Sequence, residues 1–185
     1  MDKFVELPAQ NRERERAGAC RAYFITFCCY GAHLPGQDNI VDDRYNAFGA
    51  PLFDHHSSWL QYSKQVMCEE PYLLDAPRRQ VVLQRVTRLC ECRQWSLLAL
   101  HVRTTHVHLV VGAATEKNTT PEQMMTAIKA ASSAGLNQCK VDPPVRRRRW
   151  ARHGSTRYLW TREDVSASIH YVLVNQGKPL TVYAG

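Results

Sequence analysis

Apolar and polar positions along the chain follow two kinds of spacing, and together they predict seven main elements. Runs rich in β-branched and aromatic residues predict strands over 22–30, 96–103, 106–112 and 155–160. Apolar residues at helical spacing predict helices over 78–93, 121–136 and 163–175. The order of the first six elements, βαββαβ, predicts an α+β fold in which a ferredoxin-like antiparallel sheet carries helices on one face.

Three segments fall outside this pattern. Residues 1–20 alternate in charge and have little to bury, which predicts a flexible charged arm ahead of a single domain over 21–180. From 31 to 77 the periodicity is poor and Gly, Pro, Asp, Asn and His are frequent, so we expect a long insertion with at most a short helix near 59–67. Residues 181–185 are interpreted as a C-terminal tail.

Composition narrows the classes of protein that fit. Lys and Arg number 24 against 17 Asp and Glu, and the net charge of +7 favours a polyanionic partner. The seven Cys include no C-x-x-C pair and no regular disulfide spacing, so a reducing cytoplasm is the expected location. No run approaches the roughly 18 apolar residues of a membrane helix, so no membrane partner is expected.

Positive charge is concentrated around the predicted fourth strand, with aromatic residues interleaved. This combination is typical of surfaces that bind single-stranded nucleic acid, because guanidinium groups contact phosphates while bases stack on rings. A solvated charged face is the alternative interpretation. The candidate DNA-contacting residues are Arg146, Arg147, Arg148, Arg149, Arg152, Arg157 and, on the preceding helix, Lys129.

Two histidines are the candidate metal ligands. Residues two apart on a strand share a face, so His106 and His108 present two imidazoles side by side. The motif by itself is also compatible with ordinary surface histidines. His101, on the neighbouring strand, is expected to cap the site or face solvent, and the pair at 55–56 is expected to be structural or exposed.

The last predicted helix adds a nucleophile and a third ligand. Tyr171 and Asn175 are four residues apart and therefore share a helix face. A tyrosine hydroxyl has an ordinary pKa of about 10, so a nearby cation or base is needed to activate it. Tyr158, on the predicted fourth strand, is the rival nucleophile, although strand tyrosines usually serve in packing.

Taken together, these residues resemble the single-tyrosine HUH transposases, and the resemblance covers most of 22–180. It is strongest to the branch that includes the REP-associated tyrosine transposases, in which Asn follows the helix tyrosine after four residues, whereas insertion-sequence members carry Gln. The motifs that carry the resemblance are Phe24-Ile25-Thr26-Phe27, His106-Val107-His108-Leu109-Val110-Val111, Trp160 and Tyr171-x-x-x-Asn175.

The resemblance implies the HUH nuclease fold and a set of roles. His106 and His108 would be paired ligands of Mg²⁺ or Mn²⁺, Asn175 the third ligand, and Tyr171 the residue that forms a 5′-phosphotyrosine. The implied substrate is hairpin or single-stranded DNA in a bacterial cytoplasm, at the nucleoid. Gln176 competes with Asn175, because Gln176-Gly177 stands where the branch has Asn-Pro; a helical rotation of about 100° away from Tyr171 favours Asn175.

Other functions that use alternating histidines are separable by sequence. A histidine-triad nucleotide hydrolase needs a third histidine at position 110, which is Val, and a two-histidine phosphoesterase needs two H-x-[ST] motifs that are lacking. Two alternatives stay open: a non-catalytic or domesticated hairpin-DNA-binding regulator, and a relaxase or rolling-circle replication nuclease. The sequence also leaves open whether the chain is a monomer or a homodimer.

Overall fold

The computed structural model describes residues 20–32, 34, 40–41, 52–53, 57–113, 119–142 and 147–185. The predicted N-terminal arm, apart from residue 20, lies outside the described residues, and so do Arg146 and the histidines at 55–56. Within the described ranges, no helix has both the length and the apolar character needed to cross a membrane.

Seven strands are described, and five of them form one sheet. The strands are β1 (Ala22–Cys29), β2 (Ile40–Val41), β3 (Leu52–Phe53), β4 (Leu97–Val102), β5 (His106–Gly112), β6 (Trp150–Leu159) and β7 (Thr181–Ala184). β2 pairs with β3, whereas the main sheet has the order β6-β1-β5-β4-β7 and all its pairs are antiparallel. The predicted antiparallel sheet is confirmed.

Four helices are described, and a side chain caps the N-terminus of three of them. They are α1 (Ser57–Gln65), α2 (Ala76–Arg93), α3 (Pro121–Gln138) and α4 (Arg162–Leu173). The Asp75 side chain accepts a hydrogen bond from the first turn of α2, and Thr120 and Thr161 form capping boxes with the third residues of α3 and α4. These bonds satisfy backbone N–H groups that have no partner inside the helix.

The helices lie on both faces of the sheet. α2 and α3 cover one face, where Val107 and Leu109 are buried in the larger core. α4 lies on the other face, with Val172 buried against Val110 and Leu159. The prediction of helices on one face is therefore confirmed for the two βαββαβ helices. α4, which follows them in the chain, packs on the opposite face. β5 has apolar side chains on both faces, so the second face must also be buried beneath a helix.

Two elements differ from the sequence prediction. The segment 181–185, interpreted as a tail, contains β7, which pairs with β4 at the edge of the sheet. β6 begins at Trp150 rather than near 155, since the Trp150 ring packs at 5.0 Å on Phe27 and its Nε1–H donates to Lys129 O at 3.0 Å. Both differences come from long-range contacts that no local pattern encodes. The short helix expected near 59–67 is confirmed as α1.

Candidate functional site

The two histidines of β5 face the same side of the sheet as α4. The ring centroids of His106 and His108 are 4.6 Å apart. Val107, between them, points the other way into the core beneath α2 and α3. The predicted side-by-side arrangement of the two imidazoles is confirmed.

Hydroxyl groups fix the orientation of both rings. His108 Nδ1 lies 2.8 Å from Thr26 Oγ1, and His106 Nδ1 lies 3.0 Å from Thr105 Oγ1. Histidines that bind metals commonly donate their other ring N–H to such an oxygen, which sets the tautomer and the ring direction. The Nε2 atoms are therefore the ones suited to bind a cation, and the two rings fit that role.

His108 is neutral at physiological pH. Its side chain is nearly buried, and burial, followed by the neighbouring His106, lowers its pKa to about 3. A hydrogen bond with the Gln176 side chain acts in the opposite direction without restoring an ordinary pKa. Because metal ions bind the neutral form of imidazole, the buried environment keeps His108 ready to act as a ligand.

α4 brings Tyr171 to this pair although the tyrosine is more than 60 residues away in sequence. The Tyr171 ring centroid lies 5.8 Å from that of His108 and 5.9 Å from that of Phe24, nearly perpendicular to both rings. Phe24 in turn stacks on His108 at 5.8 Å. Tyr171 is 42% exposed although the next residue, Val172, is fully buried. The phenol group therefore stands beside the histidines and within reach of a large substrate.

The two candidate amides occupy different positions. α4 ends at Leu173, and Asn175 retains one helical bond, from its N–H to Tyr171 O at 3.2 Å. Asn175 is exposed, whereas Gln176 is half-buried and its side chain is hydrogen-bonded to His108. The predicted rotation of Gln176 away from Tyr171 needs a helix that continues through residue 176, and α4 stops before it. The structure brings Gln176 to the histidine pair.

The resulting donor set is two imidazoles and one amide. In the described part of the chain, no group of three or more His, Cys, Asp or Glu could hold a metal ion. A site whose third ligand is an amide falls outside those four residue types. Imidazole suits transition metals, and amide oxygen is a ligand that harder cations also accept.

His101 has a different role from the pair. It lies directly opposite His108 in the pairing of β4 with β5 and is fully buried. Its Nδ1 lies 2.9 Å from Val172 O, and its Nε2 lies 3.3 Å from Leu180 N. Burial lowers its pKa. Since both ring nitrogens are engaged by backbone, His101 neither faces solvent nor offers a nitrogen to a metal.

Tyr158, the rival nucleophile, lies on the opposite face of the sheet from the histidine pair. Its ring is edge-on to Tyr23 at 5.2 Å and stacks on Trp160 at 5.8 Å. Tyr23 packs against the core beneath α2 and α3. Burial raises the pKa of the Tyr158 hydroxyl. Tyr158 is thus part of an aromatic stack and is separated from the candidate site by the sheet.

Arg149 corrects the predicted DNA-contacting set. It is 6% exposed, and its Nη2 lies 2.7 Å from Asp142 Oδ2 and 2.8 Å from Asn137 Oδ1. Asp142 also accepts a hydrogen bond from Arg78 Nε at 2.8 Å. A buried charge must be paired, and this one is paired inside the protein. Arg149 therefore stabilises the fold and is not available to phosphate. Its position in a run of arginines gave no sign that this one side chain is buried.

Lys129 is a second correction. Its Nζ donates to the backbone oxygens of Ala151 and His153, both at 3.0 Å, and lies 5.6 Å from the centroid of the Phe27 ring. Burial lowers its pKa. An ammonium group has three N–H donors, and hydrogen bonds to β6 occupy at least two of them. Lys129 links α3 to the sheet, and its ammonium group is not available to bind a phosphate.

The remaining described arginines of the predicted set reach the surface to different degrees. Arg157 adjoins the candidate site most closely, because it lies opposite Phe24 in the pairing of β1 with β6, and its Nη2 is 3.8 Å from Asp164 Oδ1. The other three are exposed or half-buried: Arg147, Arg148 and Arg152.

Phe24, Thr26 and Thr105 also contribute to the site, although none of them was predicted as a site residue. The period of two along β1 does place Phe24 and Thr26 on one face. Only the register of β1 with β5, in which Thr26 lies opposite His108, reveals that this face carries the histidines. A hydroxyl residue on a neighbouring strand is the one feature of the sequence that could have indicated a partner for the histidine. It cannot be assigned to the site until the register is known.

Comparison with known proteins gives a family match. A model described as "Transposase IS200 like" matches residues 64–173, which is more than half of the chain and includes His106, His108 and Tyr171. No curated protein shows significant similarity. Among solved structures, the chain is similar to a REP-associated tyrosine transposase bound to a REP hairpin, with 10% identity, a TM-score of 0.48, and coverage of 95% of this chain and 72% of that one. It is also similar to a transposase structure from Deinococcus radiodurans R1, with 16% identity, a TM-score of 0.43, and coverage of 87% and 95%.

Proposed function

This chain belongs to the IS200-like transposase family, and from that premise we propose that it cuts and rejoins single-stranded DNA through a 5′-phosphotyrosine. The proposed substrate is a strand that carries a hairpin. The contact between the rings of Tyr171 and His108, 5.8 Å apart, is the observation that supports the proposal most directly. It places the hydroxyl-bearing ring of the proposed nucleophile beside an imidazole pair suited to a divalent cation.

In the cleavage step, the Tyr171 hydroxyl oxygen attacks the phosphorus of one phosphodiester. A bond from Tyr171 to phosphorus forms, and the bond from phosphorus to the 3′ oxygen breaks. The phenol loses its proton and the departing 3′ oxygen gains one, so the 5′ end of the downstream strand stays on the protein. Because the new ester conserves the phosphodiester, a 3′-hydroxyl can reverse the step without ATP.

His106, His108 and Gln176 are the residues that we propose to hold the divalent cation, Mg²⁺ or Mn²⁺. When bound, the cation would polarise the scissile phosphate and offset the charge that develops on it. Thr26 and Thr105 orient the two imidazoles, and the buried surroundings of His108 keep it neutral. Since two of the three donors are nitrogen, we expect Mn²⁺ to bind more tightly than Mg²⁺.

The DNA strand is proposed to cross the exposed side of the Tyr171 and Phe24 rings. The ion pair of Arg157 with Asp164 is partly exposed, at 29% and 15% of the two side chains, and we propose that the guanidinium also contacts a phosphate of the bound strand. Unpaired bases can stack on the two rings. Further phosphate contacts are proposed for Arg147, Arg148 and Arg152, and Arg146 remains a prediction outside the described residues.

The test uses the purified chain and a pool of labelled oligonucleotides, each with a hairpin and a randomised single-stranded flank. With Mg²⁺ or Mn²⁺ we expect a protein–DNA adduct that survives denaturing electrophoresis, disappears with protease or EDTA, and carries only the fragment downstream of the cut. Fully paired DNA of the same sequence is the control. Hairpin binding without an adduct under either metal would support the non-catalytic regulator instead. The family match to IS200-like transposases argues against the relaxase or rolling-circle replication alternative.

We predict that Gln176, and not Asn175, is the third ligand. Gln176→Ala should weaken Mn²⁺ binding and slow cleavage by about 10- to 100-fold, the loss typical of a group that orients or completes a metal site. Asn175→Ala is the matched control, since it removes the same kind of amide from the adjacent, exposed position. We expect its effect to stay within about threefold, because surface substitutions change little.

Mn²⁺ affinity measured by calorimetry, without DNA, separates ligand loss from weaker DNA binding. Thermal unfolding checks that both variants keep the fold. If Asn175→Ala proves the more damaging of the two, the ligand implied by the family resemblance is correct and the contact between Gln176 and His108 has another purpose.

A further inference from the structure

The last two residues of α4 and the segment that follows them, 172–180 in all, are held by two side chains from the β4–β5 hairpin, which are described in turn below. The segment begins directly after Tyr171 and contains both candidate amides. Beyond Leu173 it has little apolar packing of its own, since Val174 is 57% exposed and Leu180 is 39% exposed. Hydrogen bonds from other elements must therefore fix its path.

His101 is the first of these side chains. Val172 O can only accept, so His101 Nδ1 carries the hydrogen and donates to it at 2.9 Å. Leu180 N–H can only donate, so His101 Nε2 accepts from it at 3.3 Å. One fully buried ring thus fixes both ends of the segment at once.

Arg103 is the second side chain, and it acts between those two points. Its Nη1 donates to the backbone oxygen of Gln176 and, at 3.3 Å, to that of Lys178. Gly177 lies between these two acceptors with a φ of +70°, and a Cβ added there would meet no atom within 4 Å. The turn that presents Gln176 is therefore open to solvent and is held mainly by the guanidinium.

We propose that His101 and Arg103 are positioning residues that set Tyr171 and Gln176 against His108. His101 lies opposite His108 in the pairing of β4 with β5. The strand pair that carries the metal-binding face therefore also fixes the distance to the nucleophile and to the amide. The expected effect on catalysis rests on the proposed function. The hydrogen bonds, and their effect on the path of the segment, are independent of it.

The structural half of the test uses hydrogen exchange followed by NMR, without metal or DNA. Arg103→Ala should speed exchange of the hydrogen-bonded amides of Val174, Asn175 and Leu180 by at least about tenfold, as expected when a local opening becomes easier while the global fold is kept. Arg85→Ala is the matched control, because it removes an arginine contact, to Gln138 Oε1 at 2.5 Å, on the opposite face of the sheet. Unchanged exchange in Arg103→Ala would overturn the proposal.

Conservative variants separate the two bonds of His101 and guard against simple unfolding. His101→Gln should keep an acceptor for Leu180 N–H and lose the donor to Val172 O, whereas His101→Asn should do the reverse. We expect the Leu180 amide to be exposed to exchange in His101→Asn and protected in His101→Gln. Equal protection of Leu180 in the two variants would contradict the assigned bonds.

The kinetic half of the test measures whether His101 and Arg103 position the reacting groups. At saturating DNA, Arg103→Ala should lower the cleavage rate by about 10- to 100-fold, because an ångström of misplacement can cost that much. The Kd for DNA should stay within twofold, and Arg103→Lys should recover part of the rate. A loss confined to Kd, or a rate equal to that of Arg85→Ala, would overturn the positioning role. If the wild-type chain does not cleave DNA at all, the proposed function fails. The hydrogen-exchange measurement still shows whether His101 and Arg103 hold the segment in place.

Discussion

Tyr171→Phe is expected to abolish both DNA cleavage and the covalent adduct. The substitution removes one oxygen atom and keeps the ring, so the contacts with Phe24 and His108 at 5.9 Å and 5.8 Å can persist. Loss of a catalytic nucleophile typically lowers a rate by about 10⁴-fold or more. Because the side chain is 42% exposed, we expect the free energy of unfolding to change by less than about 0.5 kcal/mol.

Tyr158→Phe is the matched control for this variant. Tyr158 is also 42% exposed and also contacts two aromatic rings, but it lies on the other face of the sheet. It should cleave at the wild-type rate. Adduct formation is measured on denaturing gels with single-stranded substrate under single-turnover conditions. Full cleavage by Tyr171→Phe would remove Tyr171 as the nucleophile, and loss of cleavage in Tyr158→Phe alone would transfer that role.

The second large effect is expected at the histidine pair. His106→Ala should remove one of two imidazole donors, and we expect cleavage to fall by at least about 10³-fold, comparable to losing a main source of transition-state stabilisation. His106 is the better position for the truncation because it is half-buried, whereas His108 is nearly buried and its truncation would leave a larger cavity. His108→Gln, which fills much of the same volume, serves as the second variant.

His153→Ala provides the control for the histidine variants. His153 is exposed, lies on β6, and uses its backbone oxygen to accept from Lys129, a bond that the substitution keeps. Mn²⁺ affinity by calorimetry and cleavage across a range of Mn²⁺ concentrations are the measurements. A site that loses a ligand should need more Mn²⁺; a cleavage curve for His106→Ala that matches His153→Ala would exclude the proposed cation site.

Much of the fold was accessible from local pattern. The strand and helix order and the shared face of His106 and His108 depend on neighbours within a few residues. Tyr171 was accessible as a candidate through its motif. These features are local because helix and strand periods and caps are set by short stretches of chain.

The tertiary structure decided what those residues meet. Arg149 and its neighbour Arg148 are chemically identical, yet only the packing beside Asp142 buries one and leaves the other exposed. Gln176 gained its contact with His108 because α4 ends early and Arg103 holds the turn that follows. The sequence by itself determined which side chains were available and on which side of each element they lie. Strand register and the end of α4 decided which of them share a site, because both depend on contacts between residues far apart in the chain.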